Sequence, residues 1–169
     1  MRIDFTGPEV GPSIDGTHHS QAAAGNALVA QHASDQLRSA LEGTNTISTI
    51  LIKAAAGAGK SHVLKRLVVD AVDHPRCTRV AVTAFQNRQL WSLATGLGDT
   101  LGRERVCLFV AADKATELPQ DVWNAVNVAT TSSQIPTDCD VVIATSHKLG
   151  ATGERTRLIN HLGAAATSA

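Results

Sequence analysis

The order of apolar and polar positions divides the chain into alternating helical and extended stretches. Ala27, Val29, Ala30, Ala33, Leu37, Ala40 and Leu41 fall on one helical stripe between Ser20 and Leu41, and Gly43-Thr44-Asn45 ends it. Ile47–Lys53 then brings β-branched residues at Ile47, Thr49, Ile50 and Ile52 and is expected to be a strand. A glycine turn leads into a second helix from Lys60 to Val72, closed by His74-Pro75. The alternation continues with a strand at Thr78–Thr83 (TRVAVT) and a helix at Asn87–Leu97, stopped by Gly96 and Gly98. A third strand is expected at Arg105–Ala111 (RVCLFVA), and a helix at Pro119–Thr130 opened by Pro119 in its first turn. Cys139–Thr145 (CDVVIAT) reads as a fourth strand, followed by a short helical piece and an Ala-rich tail. Nearly continuous apolar strands separated by helices imply a parallel sheet with helices on both faces, because such strands are buried on both sides. The expected fold is α/β, with no internal repeat.

Gly7, Pro8, Gly11, Pro12 and Gly16 are too dense for a regular element, so residues 1–19 read as a flexible leader. Residues 20–151 form one domain, and 152–169 a short helix with the Ala-rich tail. His18 and His19 are adjacent, do not share a helix face and have no third ligand near, so they read as solvated histidines.

Composition narrows the function. The chain has 169 residues, 43% of them hydrophobic, which suffices for the core of one domain. Lys+Arg and Asp+Glu number 15 each, so binding of nucleic acid by bulk positive charge is excluded, though a local basic groove is not. Aromatic residues are 3% (Phe5, Phe85, Phe109, Trp91, Trp123), which excludes a base-stacking platform of interleaved aromatics. Cys77, Cys107 and Cys139 form no CxxC pair, arguing against a disulfide framework or a zinc knuckle. Cys107 and Cys139 lie in apolar stretches and are expected to be buried free thiols. The N-terminal residues lack a charged segment followed by an apolar run, and nothing approaches a membrane span. A cytoplasmic protein without a membrane partner is expected.

The chemistry is concentrated in Ala54-Ala55-Ala56-Gly57-Ala58-Gly59-Lys60-Ser61, the phosphate-binding pattern G-x-x-x-x-G-K-[ST] with alanine in place of its first glycine. Gly57 and Gly59 let the backbone turn so that successive N–H groups converge on a phosphate. The helix N-terminus adds roughly half a positive charge behind them. Lys60 supplies a mobile charge for the β- and γ-phosphates of ATP, and the Ser61 hydroxyl is the expected Mg²⁺ ligand. His62 follows as the last residue counted with this nucleotide-binding stretch, although on its own it reads as helix surface. A GTPase would carry N-K-x-D, which is absent. Asp99-Thr100-Leu101-Gly102 spells D-x-x-G but follows a helix end and not a strand. An Arg-rich lid, as in small-molecule kinases, is also missing.

Residues 80–98 (VAVTAFQNRQLWSLATGLG) resemble motif Ia of superfamily 1 helicases and their helicase-like AAA relatives. Thr83, Ala84, Asn87, Gln89 and Leu93 match it, while Phe85 and Gln86 replace its usual Pro and Thr. Residues 139–151 (CDVVIATSHKLGA) are similar to a later motif of the same motor domain, a strand ending V-V-x-x-T. Ser34-Asp35-Gln36 stands near the place of the family's Q motif, whose glutamine reads the adenine edge; Gln36 reads equally as a solvated helix residue, and Gln21 lies too far upstream. The resemblance spans residues 34–151. It implies the front part of a RecA-like P-loop motor domain that binds ATP with Mg²⁺ through Lys60 and Ser61. It also implies a path for single-stranded DNA or RNA along Thr83, Asn87 and Thr145.

Hydrolysis in that family needs an apolar strand ending in Asp-Glu, which holds Mg²⁺ and orients water. This chain contains no Asp-Glu dipeptide. Leu67-Val68-Val69-Asp70 has the shape but falls inside the helix after the glycine turn, and the strand containing Cys107–Val110 reaches Asp113 too late, without a glutamate. The expectation is therefore a truncated motor domain that binds nucleotide with weak or no turnover, with an open sheet edge favouring self-association. The alternatives are a stand-alone nucleotide sensor or degenerate interaction module, and a small phosphotransferase using Asp113 for Mg²⁺.

Overall fold

The structure, a computed structural model, describes residues 18–53, 59–151, 153, 156–158 and 160–161. In chain order the elements are α1 (His18–Glu42), α2 (Lys60–Val72), β1 (Val80–Ala84), α3 (Asn87–Leu101), β2 (Val106–Phe109), α4 (Ala112–Ala115), α5 (Gln120–Ala125), β3 (Asn127–Ala129), β4 (Val141–Thr145) and α6 (Ser146–Gly150). Short 3-10 turns occupy Arg103–Arg105 and Ser132–Gln134. The four strands form one all-parallel sheet in the order β1-β4-β2-β3. The fold is α/β, as the alternation of strands and helices predicts.

Side-chain alternation divides the core between the two faces of the sheet. On one face Val82, Val106, Leu108, Val141 and Ile143 pack against Val68 of α2, Leu90, Leu93 and Leu97 of α3, and Val122 of α5. On the other, Cys107, Phe109, Ala129, Val142 and Ala144 are covered by Ile135, Cys139, Leu149 of α6 and Leu158. The crossovers through α3 and α5 run over the first face and step in the same direction across the sheet. The return from β3 to β4 steps backward over the second face, through Ser132 and Ile135. All the crossovers thus share one hand, as parallel connections do.

Several boundaries differ from those expected. Ile47–Lys53 forms no strand; Leu51 is 91% exposed, and Ile47 and Ile50 are 40% exposed. A β-branched run alone does not make a strand; among the described residues the outer edge of β1 carries no strand, and β1 pairs with β4. The third helix runs through Gly96 and Gly98 to Leu101 because Gly98 is a contact surface and not a stop. A Cβ on Gly98 would lie 2.1 Å from the Ala125 carbonyl oxygen, so glycine lets α3 and α5 approach. The helix expected over Pro119–Thr130 ends at Ala125, and Asn127–Ala129 instead pairs with β2 as Cys107↔Asn127, Leu108↔Val128 and Phe109↔Ala129. The first helix begins at His18, inside the stretch expected to be loose; residues 1–17 lie outside the described residues.

At the amino end of the sheet Arg105 donates to Asp140 and lies 3.8 Å from Asp73. The hydrogen bond to Asp140 raises the Arg105 pKa. Arg79 reaches across to the carbonyls of Cys139 (2.9 Å) and Thr137 (2.7 Å). Burial pushes the Cys107 thiol up to about 12, reinforced by Cys139, whose own thiol is also raised by burial. All three cysteines are free, and Cys107 and Cys139 are buried as expected. No helix among the described residues is long and apolar enough to cross a membrane.

Candidate functional site at the carboxyl end of the sheet

Parallel strands place all their carboxyl ends at one end of the sheet. After β1 the chain passes over the first face through α3; after β4 it passes over the second, where Leu149 of α6 packs. The crevice outside the carboxyl ends of the strands is the usual ligand position in open α/β sheets. Ala84 and Thr145 are partners in register at this crevice, and Thr83 pairs with Ala144 one position earlier.

Beside it, a cleft of about 390 Å³ is lined by Ser61, Leu64 and Lys65 of α2, by Thr83 and Ala84 of β1, and by Gln89, Ser92 and Leu93 of α3. Ser61 reaches it because α2 begins at Lys60, capped by Gly59 at φ 79° and ψ 17°. A Cβ on Gly59 would meet nothing within 4 Å, so the demand for glycine here is the left-handed backbone and not space. The cap contributes no side-chain hydrogen bond to the first turn, and the Gly59 carbonyl accepts from His62 and Val63. The N-terminus of a thirteen-residue helix therefore faces this region with its partial positive charge. Lys60 and Ser61 are both exposed. Ala54, Ala55, Ala56, Gly57 and Ala58 lie outside the described residues.

The other predicted residues divide into those gathered at this end and those placed elsewhere. Thr83 is exposed on the cleft wall, and Asn87 is the first residue of α3, half-buried just beyond it. Thr145 is half-buried with its hydroxyl in use: Oγ accepts from the Lys148 backbone N–H at 3.1 Å and caps α6. Lys148 in turn donates to the Thr130 carbonyl at 3.2 Å, and its ammonium sits 4.5 Å from the centre of the Phe109 ring. The ends of β4, β3 and β2 are tied together by this one residue, through its backbone N–H and its side chain.

His62 is on a different side of α2, bordering a groove with Lys65, Arg66 and Thr100. Gln36 is half-buried on α1 and accepts from Asn45 Nδ2 at 3.4 Å; it does not line the Ser61 cleft. Its neighbours join α1 to α2, since Gln31 donates to Asp35 at 3.0 Å and accepts from Arg66 at 2.9 Å. Asp113 is the second residue of α4, its side chain 73% exposed, 3.9 Å from Lys114. Lys65 and Ser92 line the cleft although no motif singled them out, and helical spacing offers the only signal: Ser61 and Lys65 are four apart on α2, and Gln89 and Ser92 three apart on α3. Among the described residues no cluster of His, Cys, Asp or Glu is suited to a metal ion. Comparison with protein-family models, with curated proteins and with solved structures finds no match for this chain.

Proposed function

We propose that this chain is the ATP-binding front part of a RecA-like motor domain, related to superfamily 1 helicases, which in an intact relative couples ATP to movement along single-stranded DNA or RNA. The observation that carries the reading is the juxtaposition of Ser61, at the glycine-capped start of α2, with Thr83 and Gln89 across one cleft at the carboxyl end of a parallel sheet. Two sequence motifs matched independently thereby meet in space.

The residues present fit a nucleotide phosphate with Mg²⁺. Lys60 would neutralise phosphate charge, the Ser61 hydroxyl would hold the cation, and the first turn of α2 would supply backbone donors. Bound there, ATP and Mg²⁺ would supply the energy that a motor domain converts into movement. Thr83 and Asn87 would meet the phosphates of a single strand, contacts that position without reading sequence. Thr145 supports this surface by capping α6, and its hydroxyl is already committed. Gln36 supports the reading least, being held by Asn45 away from the cleft.

A sensor that binds nucleotide without turning it over is the second reading, favoured by the lack of any Asp-Glu dipeptide and by the solvent-exposed position of Asp113. One experiment orders the readings: thermal melts with and without MgATP, beside Lys60→Ala. With ATP near 1,000 times Kd the wild type should gain roughly 4 kcal/mol, a shift of several degrees that the variant loses. A cooperative melt without a shift would overturn both. Where the shift is present, single-strand-stimulated turnover distinguishes a motor from a sensor.

A further inference from the structure

Between α1 and the end of α2 lies a cleft of about 270 Å³ that takes no part in the site above. Ser34 lines it, is 2% exposed, and its hydroxyl has no hydrogen-bond partner. A serine inside a helix ordinarily points to solvent or bonds back to the carbonyl four residues earlier. Ser34 does neither, so its hydroxyl is buried at a cost that a bound polar group would remove. Arg38, one turn further along α1, lines the same cleft and is exposed. It makes no hydrogen bond or ion pair among the described residues. The α2 side carries the opposite charge. Asp70 and Asp73 line it at the carboxyl end of that helix, where the last carbonyls add partial negative charge. Their arginine partners hold them loosely, Arg66 at 3.9 Å from Asp70 and Arg105 at 3.8 Å from Asp73. Both distances exceed a hydrogen bond, so both carboxylates keep free acceptor capacity.

We infer that this cleft binds a small zwitterion, an α-amino acid with an apolar side chain, which bridges α1 and α2. Its carboxylate meets the Arg38 guanidinium and accepts from the Ser34 hydroxyl, both on α1. Its ammonium meets Asp70 and Asp73 on the other side, so each end forms charge-assisted hydrogen bonds. A simple anion would leave the two carboxylates facing it, and a simple amine would leave Arg38 and the Ser34 hydroxyl as they are; a zwitterion answers both sides. His74 also lines the cleft, but its Nδ1 is engaged, accepting from the Arg76 backbone N–H at 3.3 Å. Leu37, Leu41 and Pro75 complete the lining with apolar surface, which takes the side chain. The cleft is smaller than the roughly 300–1,000 Å³ of sites for drug-sized ligands, as suits a molecule of amino-acid size. None of these residues lines the Ser61 cleft, so the inference does not rest on the nucleotide reading.

The test is a titration of the full chain with L-leucine followed by amide NMR, beside isocaproate and isoamylamine, which each keep one of its two charges. Leucine should give saturable shifts at the Ser34, Arg38 and Asp73 amides below about 10 mM, with both analogues at least about tenfold weaker. Arg38→Ala, at an exposed position, should weaken leucine binding at least about tenfold. Ser34→Ala should weaken it roughly three- to tenfold without lowering the melting temperature of the free protein, because the hydroxyl it removes is unpaired there. The absence of saturable shifts with leucine in the wild type overturns the inference, whether or not the variants fold. Equal binding of either analogue also overturns it, since one of the two charged sides would then be unused.

Discussion

β1 and β4 are adjacent, parallel and paired over five positions, yet they live in different environments. Val141, Val142, Ile143 and Ala144 of β4 are all buried, whereas on β1 only Val82 is, and Ala81 and Thr83 are exposed. The strands are about equally apolar, so sequence does not make the difference. β4 has a strand on each side and a covered face above and below; among the described residues β1 has one strand neighbour and one covered face. Burial of a parallel strand is thus a property of its neighbours, and the part of the molecule nearest the candidate site is the part with fewest of them.

The contrast is sharpest in large-to-small substitutions. Ile143→Ala, at 0% exposure, should cost about 2–5 kcal/mol in denaturant unfolding. Phe85→Ala, 88% exposed beside β1, should change stability by no more than about 0.5 kcal/mol. Equal costs would mean that the β1 end is packed in solution.

Glycines give a second version of the test. Gly98→Ala drives a methyl into the Ala125 carbonyl and should cost about 1–3 kcal/mol. Gly25→Ala, on the exposed side of α1 with nothing within 4 Å, should raise stability by about 0.5–1 kcal/mol. Thermal melts of the two variants should therefore move in opposite directions.

The pH dependence belongs to the buried side of the comparison. The Cys107 thiol is raised from 9.0 to about 12 in the folded state, so it stays neutral there after the unfolded chain has begun to lose its proton. Its contribution to stability is complete below the ordinary thiol pKa and is lost as pH rises toward 12. Between these limits stability should fall by about 1.4 kcal/mol per pH unit more steeply in the wild type than in Cys107→Ala. A thiol reagent at neutral pH should label the half-buried Cys77 well before Cys107 or Cys139. At the smaller end, Asp140→Asn weakens a partly exposed ion pair with Arg105 and should cost no more than about 1 kcal/mol, diminishing at high salt.

What the sequence made legible follows the same division. α2 is found at the residues expected, Lys60–Val72, because its start is written in Gly59 and its end in His74-Pro75. β2 and β4 fall within their expected spans because fully buried strands are continuous apolar runs. β3 was illegible: Asn127-Val128-Ala129 is too short to carry a period, and it is a strand only because β2 lies beside it. The glycines of α3 read as stops because their contacts with Lys65 and Ala125 are tertiary. At the candidate site, Ser61 and Thr83 were legible from local patterns, and the cleft they share joins what the sequence kept apart. The capping role of the Thr145 hydroxyl and the Asn45 contact of Gln36 were not legible, since each depends on where a turn brings the next residues.

The position of β4 between β1 and β2 has a consequence for synthesis. During translation β1 emerges early, but the strand that holds it to the rest of the sheet is the last of the four to be made. Until residues 141–145 leave the ribosome, β1 and β2 have no strand between them, and the nascent chain carries the apolar side chains of α3 without their sheet. Such a chain is exposed to chaperones and proteases until that late strand inserts, and the joining of β1 to the β2–β3 pair becomes a late event.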